Sequence, residues 1–461
     1  MRARLLLLAA ALAAFGASLG SGFHFDDYAI FSTVGRQTRP LTFFTFWVNR
    51  QLGGENPAGY HALNLALHLA AVLLLYECLR RLLPPAPALL GAVIFAVHPI
   101  QAESVDYIWG RSIVLAAALC FAALLCWITG RRWLAVVCFA AALLAKEEVA
   151  AFPLLLWLLE KRRRPPLQVP LMLLLSLAAG LHVIYVAAAT PGSTAGAHSG
   201  IPPWSYFLAQ GPVLWRYLRL LVIPYGFTVD PEIAAPPLWL GIAAWTALAA
   251  LLFLAWRARR DWSVWLLAGF VLLIPSSTIF PAADLAADRR VYLPLAAFAV
   301  AAALPLARLR PKTIGAALVL LLMAVAFART QVWMTEESLW SEAVRRSPDK
   351  VRPKVQLARQ LPPADALPLL ADARRLAPSD PAVAAETGKV LLLAKRPAEA
   401  LAEFGRALAL DPRDARNYNN RGVALEALGQ TDAARQDFLR ALAIDPNLDS
   451  ARENLNRTEK K

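Results

Sequence analysis

Up to about residue 330 the chain is a series of long apolar runs, with no amphipathic period and with polar residues confined to the gaps. Runs at 5–22, 59–76, 86–102, 112–129, 167–190, 236–256, 262–280, 291–307 and 313–328 each come close to the about 20 apolar residues that a helix needs to cross a bilayer core. The pattern predicts an all-α, polytopic membrane helix bundle. No clean small-x-small cleavage site precedes Phe23, so the first run reads as a span before it reads as a signal peptide.

The gaps orient the spans. Sixteen Lys and Arg fall in six clusters: Arg2 and Arg4; Arg80 and Arg81; Arg131 and Arg132; Lys161 to Arg164; Arg257, Arg259 and Arg260; Arg308, Arg310 and Lys312. Basic clusters of this kind mark cytoplasmic loops. Placing all six inside puts the N-terminus inside and the loop at 23–58 outside. Segment 133–160 has basic clusters on both flanks and Lys146, Glu147 and Glu148 between uncharged arms of 13 and 11 residues. It is expected to be a hairpin whose arms reach only about 20 Å of a core about 30 Å thick. Charges at that depth face a protein-lined or wet cavity and are functional candidates; the bland alternative is an ion pair that caps two helices. Segment 204–224 holds Arg216 and Arg219 and is expected to be an interfacial or re-entrant helix. About eleven spans result, with everything after residue 330 outside.

Composition changes this picture little. The 461 residues are 58% hydrophobic, with a net charge of +14 and a mean hydropathy of +0.47. The basicity resides in the loop clusters, so it implies no nucleic-acid partner. Cys78, Cys120, Cys126 and Cys138 lie in or beside apolar runs without paired spacing, as packing residues do. No GxSxG, Walker loop or HExxH is present, which leaves soluble hydrolase and ATPase readings without support.

The expected domains are 1–330, a multispan membrane domain, and 331–461, a soluble helical-repeat domain. In the latter, Pro348, Pro378, Pro412 and Pro446 are spaced 30, 34 and 34 residues apart. A 34-residue period is that of tetratricopeptide repeats. The best units are 381–414, with Gly388, Leu391, Ala400, Phe404, Ala407 and Pro412 on the motif positions, and 415–448, with Tyr418, Gly422, Leu425, Ala434, Phe438, Ala441 and Pro446. A shortened unit lies near Gln356 to Pro378. The first helix of each pair should line the groove, which makes Arg416, Asn419 and Glu426 the expected peptide contacts.

Five polar groups are expected to meet on the outer side: Asp26 and Asp27 in FHFDDYAI; His98, Glu103 and Asp106; Arg111 with Gly110; Lys146, Glu147 and Glu148; and Asp284, Asp288, Arg289 and Arg290. Carboxylates beside Arg and Lys at a membrane edge suit transfer of a group from a lipid phosphate to an external hydroxyl. A carboxylate takes the hydroxyl proton and the cations hold the departing phosphate. Adjacent residues do not point the same way, so one of Asp26 and Asp27 would act on substrate while the other binds metal or fixes the loop. His24 and His98 read as hydrogen-bonded structural residues before ligands; His98 stays among the substrate-side candidates.

The run of FHFDDYAI, RPLTFFTFWVNRQLGGENPAGYHALNLALH, HPIQAESVDYIWGRSIVLAA, AKEEVAAFPLLL, DRRVYLPLAAF and RTQVWMTEESLWSEAV leading into the repeats resembles the transmembrane and tetratricopeptide-containing O-mannosyltransferases. The resemblance spans almost the whole chain. It implies the C-type (GT-C) glycosyltransferase fold, an acidic motif in the first outer loop, and a polyprenyl-phosphate sugar as donor. On that resemblance Asp26 and Asp27 stand at the acidic motif, Glu103 and Arg111 in the HP-to-GR loop, Lys146 and Glu147 in the KE turn, and Arg289 with Arg290 near the YLP stretch. The HP loop reads QAES rather than HTEA, the KE turn KEEV rather than KETG, and the repeat array is short.

The expected function is therefore an inverting glycosyltransferase of the outer face, with Asp26, Asp27 and Glu103 as catalytic carboxylates. Arg111, Lys146, Glu147, Arg289, Arg290 and His98 bind substrate; a divalent metal at Asp26 and Asp27 is one option for a cofactor. Its partners would be a polyprenyl-phosphate sugar, an acceptor protein or glycan, a protein partner at the repeats, and membrane lipids. The Ala, Leu, Arg and Pro bias suits a bacterial inner membrane, with the repeats in the periplasm and undecaprenyl phosphate as the lipid. Two rivals remain at this point: a membrane-anchored repeat scaffold without catalysis, and a transporter, against which the membrane region shows no internal repeat.

Overall fold

The computed structural model describes residues 1–31, 38–160, 164–190, 200–277, 280–282, 284–309 and 313–459. Of the basic clusters, Lys161, Arg162, Arg163, Arg310 and Lys312 lie outside the described residues. The chain divides into two compact units, Met1–Thr335 and Glu336–Lys461. Among the described residues both units are built from helices.

In the first unit the helices are α1 (Arg2–Phe15), α2 (Pro40–Gly53), α3 (Pro57–Leu82), α4 (Pro85–Val97), α5 (Ala102–Val105), α6 (Arg111–Ile128) and α7 (Arg132–Ala145). They continue as α8 (Phe152–Leu159), α9 (Gln168–Ala189), α10 (Pro203–Val222), α11 (Leu238–Ala258), α12 (Asp261–Leu273), α13 (Tyr292–Leu306) and α14 (Thr313–Val332). Proline opens α2, α3, α4 and α10, where its missing N–H costs nothing and its fixed φ suits the first turn. Asn56 adds a cap to α3, accepting from the Ala58 N–H at 3.1 Å.

Seven helices among the described residues are long and apolar enough to cross a membrane, or eight if α4 and the Pro99–Val105 segment, bent by 46°, form one broken span. The expected count of about eleven also took in α7, α8 and α12, which the structure shows as the shorter helices Arg132–Ala145, Phe152–Leu159 and Asp261–Ser276. The bend follows from Pro99, which cannot donate to the preceding turn. The His98 ring caps the new turn instead, with Nδ1 accepting from the Ile100 N–H at 3.2 Å.

The 133–160 hairpin is present. Arg132 at the foot of α7 pairs with Glu160 just past α8 at 3.1 Å, so both arms return to one end. At the tip, Thr42 of α2 donates to the Ala145 carbonyl at 2.9 Å. The tip therefore lies on the face that carries α2 and the Asp26 loop. The opposite end of the bundle holds Arg4, Arg80 and Arg81 around Glu77, with contacts of 2.5 to 2.7 Å.

The second unit holds α15 (Glu336–Arg346), α16 (Val351–Ala358), α17 (Pro363–Leu376), α18 (Pro381–Leu393), α19 (Pro397–Leu410), α20 (Ala415–Ala427), α21 (Thr431–Ile444) and α22 (Asp449–Glu459). Asp380 and Asp414 cap α18 and α20, each accepting from the N–H two residues on. Gly388 and Gly422 are set by packing. A Cβ there would meet the rings of Phe404 and Phe438 at 2.7 and 2.5 Å, so only glycine lets the paired helices close on those phenylalanines.

Candidate active site

The first loop is a 3-10 turn, Phe25–Phe31, entered through Phe25 in the left-handed region at φ 47°. The turn separates the two acids. Asp27 is fully buried: its Oδ2 accepts from the His24 N–H at 2.9 Å and its Oδ1 from the Trp109 N–H at 2.8 Å. Asp26 is exposed. Asp27 thus fastens the first loop to the IWG turn ahead of Arg111, and Asp26 faces solvent. With both Asp27 oxygens facing backbone donors, a metal would be left with Asp26 alone on this loop, so the pair does not fit a shared ion. Among the described residues no other group of three or more His, Cys, Asp and Glu forms a metal cage.

Burial pushes the Asp27 carboxyl up to about 8, against the two N–H bonds and with the Asp26 charge adding to the rise. A carboxyl raised in the folded state keeps its proton where the unfolded chain has lost it. Its contribution to stability is therefore full below about 4, falls as pH rises, and is spent above about 8. Exchange of the Trp109 amide, followed by mass spectrometry, is expected to speed up between pH 7 and 9 beyond the intrinsic pH effect. Asp27→Asn should flatten that extra rise.

Gly110 holds the HP and GR ends of the next loop together. A Cβ there would sit 2.6 Å from the Ser104 carbonyl oxygen and 2.9 Å from that of Glu103, both backbone atoms with nowhere to move. Gly110→Ala is expected to cost about 1–3 kcal/mol of stability and to displace Glu103. Thermal inactivation together with transfer kinetics would check it.

Glu103 is buried and bound to Arg289, whose backbone N–H donates to Oε2 at 3.2 Å and whose guanidinium donates to Oε1. Arg289 also lies 3.6 Å from Asp284. Next to it Asp288 is held by Arg216 of α10 at 2.5 Å, so α10 is tied to this turn by charge. Arg290 donates to the carbonyls of Leu285 and Asp284 at 3.1 and 2.8 Å and contacts the Tyr206 hydroxyl at 3.4 Å.

At the hairpin tip Lys146 is buried, with its Nζ 3.4 Å from Glu148. Glu147 is gripped through two bonds by Arg39, at 3.1 and 2.7 Å. Arg39, Lys146 and Arg289 lie within electrostatic reach of one another, and Arg290 within reach of Glu148 and Arg289. Tyr107 links the two halves, interacting with Asp26, Asp27 and Arg289. Four cations and their carboxylates thus gather beside the Asp26 loop. Arg39, absent from the sequence-based candidates, is the addition; its position directly before Pro40 in RPLT was the available signal.

Two candidates are occupied by protein groups. Arg111 is fully buried, donating to Asn64 at 2.7 Å, Asn49 at 2.6 Å, Thr45 at 3.4 Å and the Tyr60 carbonyl at 2.9 Å, with the Phe46 ring 4.4 Å away. It braces α2, α3 and α6. His98 is likewise buried, with Nε2 on the Leu221 carbonyl at 3.3 Å and Nδ1 on its cap. In the repeats Arg416 is exposed, whereas Asn419 accepts from Asn454 at 2.8 Å and Glu426 from Arg457 at 2.7 Å. Helix α22 therefore engages two of the three expected peptide contacts.

Comparison with known proteins now bears on this geometry. Residues 415–448 match the tetratricopeptide repeat family. Protein O-mannosyl-transferase F38B6.6 of Caenorhabditis elegans is 25% identical over 356 residues, which cover 72% of this chain and 52% of the relative. The chain is thus similar in sequence to named protein O-mannosyl-transferases. Tmtc1 of Drosophila melanogaster is 38% identical over 120 residues, 24% of this chain and 14% of its own length; TMTC1 of Homo sapiens is 41% identical over 90 residues, 19% and 10%. The chain spans about half the length of the Caenorhabditis O-mannosyl-transferase and a smaller share of the other two.

Proposed function

We propose that this membrane protein is a GT-C glycosyltransferase that moves a sugar from a polyprenyl-phosphate donor to a hydroxyl of a protein or glycan on the outer face. The observation that carries the reading is the gathering of Arg39, Lys146, Arg289 and Arg290 beside a loop whose one exposed acid is Asp26. Similarity to named O-mannosyl-transferases supports the reaction class.

Asp26 acts as general base. It takes the proton of the acceptor hydroxyl while that oxygen attacks the anomeric carbon, and the bond from that carbon to the phosphate oxygen breaks. The electron pair leaves with the polyprenyl phosphate, whose growing charge meets the cations. Glu103 positions Arg289, and Glu147 positions Arg39. Attack opposite the leaving phosphate inverts the sugar. The N-terminus lies in the cytoplasm and the repeats lie outside, where they recruit the acceptor. A scaffold without catalysis would leave this charged gathering without a purpose.

Mass spectrometry of envelope proteins from cells with and without the gene tests the reading. A hexose on Ser or Thr, present only with the gene, is expected; identical spectra would remove the proposed activity.

A further inference from the structure

Helix α13 has basic residues at both ends. Arg289 and Arg290 precede it on the face of the candidate site, and its last turn, about 22 Å away at 1.5 Å per residue, leads to Arg308. There Arg308, with Arg259, Arg260, Asp261 and Trp262 from the turn between α11 and α12, lines a hollow of about 190 Å³.

Charge in this hollow is lopsided. Three exposed guanidinium groups meet one carboxylate, and among the described residues no ion pair engages any of the three. The chain brings no further acid from these segments: Asp261 is the one acidic residue between Glu232 and Asp284, and none follows Asp288 until Glu336. Glu160, just past the neighbouring helix α8, is already taken by Arg132 at 3.1 Å.

Trp262 also lines a second cavity. This is a groove of about 260 Å³ between α4, α10, α12 and α13, walled by Leu218, Leu266, Leu295 and Phe298. His98 and Leu221 belong to the same wall, and their hydrogen bond at 3.3 Å ties α10 to the end of α4. Hollow and groove therefore adjoin at Trp262, one cationic and the other apolar. Together they reach the volume of about 300–1,000 Å³ usual for a bound small molecule.

A ligand that fits both parts carries a phosphate and an alkyl chain. Guanidinium forks match phosphate oxygens, and basic pockets between helices at a membrane edge take anionic headgroups. A zwitterionic headgroup would add its own cation to a surplus of positive charge; an anionic one offsets it. We propose that hollow and groove hold an anionic phospholipid, its phosphate among Arg259, Arg260 and Arg308 and an acyl chain running past Trp262 into the groove. The inference is independent of the transfer reaction, because the hollow lies at the end of α13 remote from Arg290.

The test is native mass spectrometry of the full-length chain in detergent, titrated with phosphatidylglycerol and with phosphatidylcholine of the same acyl chains. Phosphatidylglycerol is expected to be retained at roughly tenfold lower concentration, the worth of one or two arginine contacts. Arg260→Gln with Arg308→Gln, both at exposed positions, should abolish that preference. Arg80→Gln with Arg81→Gln, which removes a basic pair already engaged by Glu77, should keep it. Leu266→Trp, which fills the groove, should weaken retention of both phospholipids several-fold. Retention of polyprenyl phosphate should be the same in the Arg260 and Arg308 variant as in the wild type. Equal retention of the two phospholipids by the wild type, a preference that survives loss of Arg260 and Arg308, or loss of polyprenyl phosphate in that variant would overturn the proposal.

Discussion

Asp26→Asn is expected to lower kcat for sugar transfer by about 10²–10⁴-fold, the usual worth of a general base, with little change in stability. The reason is geometric: Asp26 is the exposed member of the pair, while both oxygens of Asp27 are engaged by the His24 and Trp109 N–H groups. Asp27→Asn should behave differently. An amide can accept at only one of its two ends, so one backbone donor is left buried and unmet, at a cost of about 1–3 kcal/mol. Steady-state transfer by the reconstituted protein, alongside thermal inactivation, separates the two. Full activity in Asp26→Asn would remove it from the chemistry.

Arg111→Met is expected to be among the most damaging single changes to stability, at about 3 kcal/mol or more. Methionine fills much of the volume, but it leaves the acceptors of Asn49, Asn64 and Tyr60 without a donor in a place water does not reach. Because Arg111 is enclosed by these groups, the loss should appear in thermal half-life and not in the KM for donor among molecules still folded. A raised KM with unchanged half-life would instead make Arg111 a phosphate contact.

Much of this arrangement could be read from the sequence because charges inside apolar runs are costly and so carry information. The hairpin at 133–160 followed from basic flanks around short arms, and the Arg132–Glu160 pair closes it. The 34-residue repeat was legible because Gly388 and Gly422 must leave room for Phe404 and Phe438. Roles within the site were harder to read. A lone arginine beside glycine reads as a phosphate ligand until Asn49, Asn64 and Tyr60, brought in from α2 and α3, are seen to surround it. The same holds for Asn419 and Glu426, whose partners Asn454 and Arg457 arrive from α22. Arg39 was overlooked because its partner lies more than a hundred residues on, at Glu147. Which of two adjacent acids turns inward depends on Phe25 taking a positive φ, and no residue pattern announces that.

The account rests on cations beside the Asp26 loop holding a lipid-borne phosphate, and the most direct test is native mass spectrometry of the purified protein with polyprenyl phosphate. The wild type is predicted to retain one lipid per chain, and Lys146→Gln with Arg290→Gln to retain far less among molecules that remain folded. Equal retention by both proteins, or none by the wild type, would contradict it.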